Sequence, residues 1–215
     1  APEALQDTAE SSYEDSAALI SKWHGQGRLA YAIAPRFAIT SSPEQLEVAA
    51  ALMAENPDCH VQTHLSENAA EIALTGRLYP ESPDYLGVYE NFQLTGEKSL
   101  FGHCIHLSDR EIGVMRDTRS VAVFNPTSNL FLGSGLFNLE RLRSNDVRVA
   151  VATDVGGGTS FSMLRTLSEA YKILQLQGQS LPPMMSYYFM TLGNARALGL
   201  DQRIGRFAPG MEADF

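Results

Sequence analysis

Apolar positions along the chain recur in two alternating rhythms. In "SSYEDSAALISKWHGQGR" (11–28), Ala17, Leu19, Ile20 and Trp23 fall at helical spacing, with polar caps at Ser11 and Ser12 and a stop at Gly25. "LAYAIAPRF" (29–37) follows as a near-continuous apolar run, a strand broken by Pro35. "SPEQLEVAAALMAEN" (42–56) returns to helical spacing: Ser42 is the cap, Pro43 takes the first helical position and Gln45 completes a capping box. The alternation then predicts strands over 59–65, 98–107, 120–126 and 147–155. Helices are predicted over 67–78, 108–118, 136–145 and 160–176, and another helical stretch follows the proline pair at 182–183.

Strands that are apolar at nearly every position belong to parallel sheets buried on both faces. About five strand–helix units can be read, short of the eight that close a (β/α)8 barrel. The pattern predicts an α/β fold whose sheet is open or belongs to a barrel lacking its beginning. The closing "GMEADF" reads as a turn into one more strand, so both ends look interrupted.

The totals narrow the possible partners. With 215 residues, 44% hydrophobic and 19% charged, the chain has the balance of an ordinary globular protein and enough length for one sizeable core. A net charge of -9 without a Lys/Arg cluster makes nucleic-acid polymers poor partners. No apolar run is long enough to span a bilayer, and the acidic opening "APEALQDTAESSYEDS" lacks the apolar core of a signal peptide. Cys59 and Cys104 form neither a disulfide framework nor a cysteine zinc module, which points to a reducing, cytoplasmic setting.

Polar side chains gather where the predicted strands end: Arg36, His64 with Glu67, His103, Asn125 and Asp154. In α/β folds the carboxyl ends of parallel strands carry the chemistry. Each residue also has a plain structural reading. His64 suits a hydrogen-bonded core histidine, Arg36 a surface residue at a strand exit, and Glu67 a carboxylate favoured by a helix N-terminus. On a regular strand His103 and His106 point to opposite faces, and His24, His60 and His106 read as structural. "TDVGGGTSF" suggests a phosphate cradle, yet it fits neither the P-loop nor the dinucleotide spacing, and Asp154 would repel a phosphate. The glycines instead suit close approach of backbone to a ligand. Around Ser134, "LGSGL" lacks the outer glycines of a nucleophile elbow. Two imidazoles and an aspartate from three strands suit Zn2+ or Fe2+, with Glu67 as proton carrier in metal-assisted hydrolysis.

"HVQTHLSEN", "FGHCIHLS", "NPTSNLFLGSGLFNL", "ATDVGGGTSFSMLRTLSEAYKI", "APRF" and "TLGNARALGLDQRIGRFAPGMEADF" together resemble the amidohydrolase superfamily and, within it, the guanine deaminases. The resemblance implies strands four to eight of a TIM-type (β/α)8 barrel over residues 1–195, and a tail at 196–215 leading toward a small β-sandwich. It implies hydrolysis of guanine to xanthine and ammonia, with a zinc ion (iron possible) and a homodimeric assembly. His64 and Asp154 would be metal ligands; Glu67, His103 and Asp154 would be catalytic. Arg36, Phe37, His64, Glu67 and Asp154 would contact the substrate, Arg36 by hydrogen bonding and Phe37 by apolar contact. The family draws two further ligands from an HxH pair that this sequence does not contain, so the expectation is a partial barrel that by itself holds zinc weakly and is inactive. Asn125 stands where many relatives have Cys, with packing as its expected role. A related aminopurine, pterin or chlorotriazine substrate, or a non-catalytic binding domain, are the competing readings.

Overall fold

In the computed structural model, which describes residues 2–213, β1 (Ala32–Ile33), β2 (His60–Leu65), β3 (Ser99–His103), β4 (Val121–Phe124) and β5 (Arg148–Val151) form one parallel sheet. The strands lie side by side in sequence order. A doubly wound sheet would reverse its order at a switch point, whereas an unreversed order is the winding of a (β/α)8 barrel. The sheet is a section of such a barrel. The connecting helices are α1 (Ala9–Trp23), α2 (Pro43–Glu55), α3 (Ala69–Leu78), α4 (Tyr85–Asn91), α5 (Asp109–Asp117), α6 (Pro126–Leu132), α7 (Leu139–Ser144) and α8 (Met163–Leu176). Two short helices, α9 (Pro183–Tyr188) and α10 (Asn194–Ala197), flank a π-helical turn at Phe189–Gly193.

Strand periodicity sorts the side chains. Along β2, Val61, Thr63 and Leu65 are buried, while His60, Gln62 and His64 alternate onto the more open face. The helix-covered side forms the main core, in which Leu46, Leu65, Tyr85, Tyr89, Phe101, Phe124 and Phe137 are almost fully buried. On the other side a small cluster joins Val121, Ala150 and Ala197. At the amino ends of the strands the Arg148 guanidinium donates to four carbonyl groups, those of Glu97, Arg119, Arg196 and Ala197, which fastens α10 to the sheet.

Local chemistry explains where elements start and stop. The α2 capping box between Ser42 and Gln45 is formed as the sequence predicts. α1 begins earlier than predicted because Thr8, not Ser11 or Ser12, is the cap; Ser11 is the third residue of the box. β1 shrinks from the predicted nine-residue run to two residues, since Pro35 has no N–H to give a ladder. β3 ends at His103, where His103 (φ 73°) and Cys104 (φ 51°) turn the chain out of the sheet. α4 and α6 are absent from the sequence reading because neither is amphipathic. All of Tyr85–Tyr89 is buried, and α6 inverts the usual rule: Thr127, Ser128 and Asn129 are buried while Leu130, Phe131 and Leu132 are exposed. In the tail, turns replace regular structure up to residue 213, with Glu212 paired to Arg203 and Arg28. The strand expected at the very end reaches residues 214 and 215, outside the described residues.

Candidate active site

The carboxyl end of β2 is held by two buried carboxylates, each the third residue of a capping box. Glu71 of α3 accepts from the N–H groups of Glu67 (3.0 Å) and Asn68 (3.3 Å) and from the Tyr85 hydroxyl (2.7 Å). Glu111 of α5 accepts from the Ser108 and Leu86 N–H groups and from the Ser108 and Ser66 hydroxyls. The strand therefore leaves the sheet at Ser66 (φ 49°) with its polar backbone satisfied, and Glu67 is fixed from behind. Glu71→Ala would leave three buried donors unpaired; a loss of about 3 kcal/mol of stability is expected, read as a lower denaturant midpoint at unchanged slope.

His64 is oriented by the backbone of its neighbour strand. Its Nδ1 lies 2.6 Å from the Arg36 carbonyl oxygen, which also accepts from the Thr63 hydroxyl at 3.2 Å. A carbonyl only accepts, so Nδ1 carries the proton and Nε2 keeps its lone pair. The Phe37 ring stacks on the imidazole at 3.8 Å between centroids and 22° between planes. The Arg36 guanidinium carbon sits 5.2 Å from the Phe37 centroid. Phe37, assigned by resemblance to the substrate ring, thus also braces His64.

Behind His64 lies His103, ring centroids 5.2 Å apart. His103 is almost fully buried, and its Nε2 faces Glu67 Oε2 at 3.7 Å and Asp154 Oδ2 at 3.9 Å. Its Nδ1 lies 2.9 Å from Asn129 Nδ2 and 3.5 Å from Asn125 Nδ2. Asn125, expected to be packing, therefore reaches the same imidazole. Burial pushes the His103 pKa below the usual histidine value, and the negative charges of Glu67 and Asp154 pull against that shift. Glu67, 7% exposed, accepts at Oε1 from the Ser134 hydroxyl at 2.7 Å.

Asp154 follows β5 with φ 47°, so Ser66, His103, Cys104 and Asp154 all hold left-handed backbone at strand ends. Each costs about 1–2 kcal/mol and persists only where its surroundings fix it. Gly157 and Gly158 let the chain close on itself around Asp154, whereas Gly156 has open space beside it. A Cβ on Gly158 would fall 1.9 Å from the Thr153 carbonyl oxygen, and one on Gly157 would fall 2.7 Å from Ser128 Oγ.

The site thus brings together His64, Glu67, His103 and Asp154, with Arg36 and Phe37 beside His64. Sequence reasoning missed Asn129, Ser134 and Glu71. Their only signal was polar residues in "NPTSNLFLGSG" and "ENAAE" that no surface requires. His24 and His106 serve the backbone: His24 Nδ1 accepts from the Tyr31 N–H, and His106 Nε2 donates to the Ser134 carbonyl. A metal is tested by the donors present. His64, with Nδ1–H tied to a carbonyl and Nε2 bare, is prepared as a ligand, and Asp154 supplies a carboxylate. Among the described residues no group of three His, Cys, Asp or Glu side chains is arranged to hold an ion. Two donors of suitable chemistry, His64 and Asp154, are therefore present, short of a full set among the described residues.

A barrel section with imidazoles and carboxylates at the carboxyl ends of its strands has the arrangement that metal-assisted hydrolase barrels use. The chain belongs to the amidohydrolase family, whose model matches residues 3–215. It is 54% identical over its full length to the guanine deaminase of Escherichia coli, and it spans 49% of that relative. The solved structure of E. coli guanine deaminase superposes with a TM-score of 0.98 over 99% of this chain and 50% of the other. A guanine deaminase from C. acetobutylicum with guanine bound in its active site, 27% identical, superposes at 0.91 over 98% of this chain and 51% of its own. The chain spans about half the length of the curated relatives it matches. Members of the family are metal-dependent, and one structural neighbour holds bound zinc. Among the described residues no helix is long and apolar enough to cross a membrane.

Proposed function

We propose that the protein hydrolyses guanine to xanthine and ammonia. The observation that carries this reading is the meeting of Glu67 Oε2 and Asp154 Oδ2 around His103 Nε2, on a chain 54% identical to a guanine deaminase. The net reaction adds water across the C–N bond that bears the exocyclic amine. His64 and Asp154 would hold a zinc ion together with further ligands, and the ion would supply the acidity that makes a water nucleophilic near neutral pH. Asp154 takes a proton from the attacking water. Glu67 receives that proton and gives it to a ring nitrogen as the ring carbon is attacked. It then takes the second proton of the water, from the new hydroxyl as this becomes the carbonyl, and passes it to the departing ammonia. His103 donates from Nε2 to the incoming oxygen. Arg36 hydrogen-bonds the purine carbonyl, and the part of Phe37 not covered by His64 contacts the ring.

Buried free thiols at Cys59 and Cys104 are compatible with a cytoplasmic enzyme. The exposed Phe131, Leu132, Phe161 and Leu164 offer apolar surface for the homodimer that the resemblance implies. Residues 196–215 read as the passage from the barrel to a following domain.

Arg36→Ala in the metal-loaded protein separates the readings. Deamination of guanine predicts that KM rises about tenfold or more while kcat changes less, since the lost contact holds ground and transition states alike. A chlorotriazine or another ring without the matching acceptor would be turned over with unchanged KM. A binding domain would release no ammonia at all.

A further inference from the structure

One segment touches His103 and Glu67 and packs on the loop that carries Asp154, and no role in the reaction assigned above uses it. Within α6 and its exit turn, Thr127 donates to the Thr153 carbonyl at 3.2 Å, and Ser128 packs where Gly157 has no side chain. Asn129 meets His103 Nδ1 at 2.9 Å, and Ser134 meets Glu67 Oε1 at 2.7 Å. Asn129 and Ser134 are tied to each other, because the Ser134 N–H donates to the Asn129 carbonyl at 2.9 Å. The Ser134 carbonyl is in turn held by His106 at 2.9 Å. Gly135 (φ 136°) permits this: a Cβ there would sit 2.9 Å from Ile105 Cγ2 and 3.4 Å from the His106 ring.

We propose that residues 127–134 form a single positioning frame, in which Asn129 keeps the His103 proton on Nε2 and Ser134 occupies Glu67 Oε1 so that Oε2 alone faces the substrate. The charge distribution dictates the first half. His103 Nε2 faces two carboxylate oxygens, which favour a proton on that nitrogen. Nδ1 then presents a lone pair inside a buried wall, and a buried acceptor requires a donor. The Asn129 amide nitrogen is that donor, its own Oδ1 being left without a partner among the described residues. Turning the amide over would set oxygen against Nδ1, demand a proton there, and leave the Nε2 lone pair against two anions. The second half follows from geometry: Oε1 is turned to the buried Ser134 hydroxyl, while Oε2 lies on the His103 side and is left for chemistry.

Long-range nitrogen–proton NMR of the labelled protein at one pH tests the frame without reference to turnover. His103 should show a bare Nδ1 and a protonated Nε2, and Asn129→Asp, a near-isosteric change, should bring a proton onto Nδ1. A proton on Nδ1 in the parent protein, or a bare Nδ1 in the variant, overturns the assignment. The kinetic arm rests on the proposed deamination. Ser134→Ala and Asn129→Asp should each lower kcat on guanine by about 10–100-fold, the usual effect of removing such a supporting contact, with KM changed less than about twofold. Ser134→Ala leaves a buried carboxylate oxygen short of a donor, so its denaturant midpoint should fall somewhat, and its rate is read where circular dichroism shows it folded. Full kcat in Ser134→Ala removes Ser134 from the frame. Failure of the parent protein to release ammonia from guanine would count against the function alone, and the tautomer of His103 would still decide the frame.

Discussion

Glu67→Gln is expected to lower the rate of ammonia release from guanine by about 10²–10⁴-fold, the range that a positioned proton carrier contributes. The substitution is close to isosteric. Its amide oxygen can still accept from the Ser134 hydroxyl, so the side chain keeps its place. What it loses is the ability to carry a proton, and it sets an N–H donor against His103 Nε2 where a carboxylate oxygen lay at 3.7 Å. Steady-state ammonia release together with thermal unfolding separates the two effects: a lost rate with an unfolding temperature near the parent's is the expected pair. Full activity in this variant would remove Glu67 from the chemistry.

The second large effect is expected at Gly158, which never meets the substrate in this account. A Cβ there would overlap the Thr153 carbonyl oxygen at 1.9 Å and crowd the Asp154 carbonyl oxygen and Thr127 Oγ1 at 2.9 Å. Two of these neighbours are backbone, so the loop itself must open. The Gly158 N–H that donates to the Asp154 carbonyl at 2.5 Å would be lost with it. Gly158→Ala should cost about 3 kcal/mol through overpacking and about 10²-fold in rate through displacement of Asp154. Gly76→Ala is the matched control: it lies in α3 with open space around it, and the same change should leave the rate intact. Equal behaviour of the two variants would show that the loop tolerates a side chain and that Asp154 is not held by its closure.

The sheet was legible because its strands are apolar on both faces, and most helix starts were legible because caps are short-range chemistry. Ser42 with Gln45 fixes α2 from four neighbouring residues. What stayed hidden depends on tertiary contact. α4 is buried on every side and α6 buries its polar residues, so neither has the one-sided apolar stripe that sequence reading detects. The site shows the same division. His64, Glu67, His103 and Asp154 were visible as polar residues ending apolar strands, and the structure places them together. Asn129 passed unremarked and Ser134 was weighed only as a nucleophile, because a hydroxyl or amide that supports another side chain carries no local mark of doing so. The glycines after Asp154 were seen, and the structure adds a second reason for Gly157 and Gly158: the chain's own carbonyls and hydroxyls crowd them.

The two glutamates beneath the end of β2 have a bearing on how this protein can change over evolutionary time. Glu71 finishes the first turn of α3 and grips the backbone of Glu67 with the same carboxylate. Helix initiation and the placement of the proposed proton carrier are therefore one inherited unit. A mutation that loosens the start of that helix also unseats the catalytic side chain, and a compensating change elsewhere in the core cannot restore one without the other.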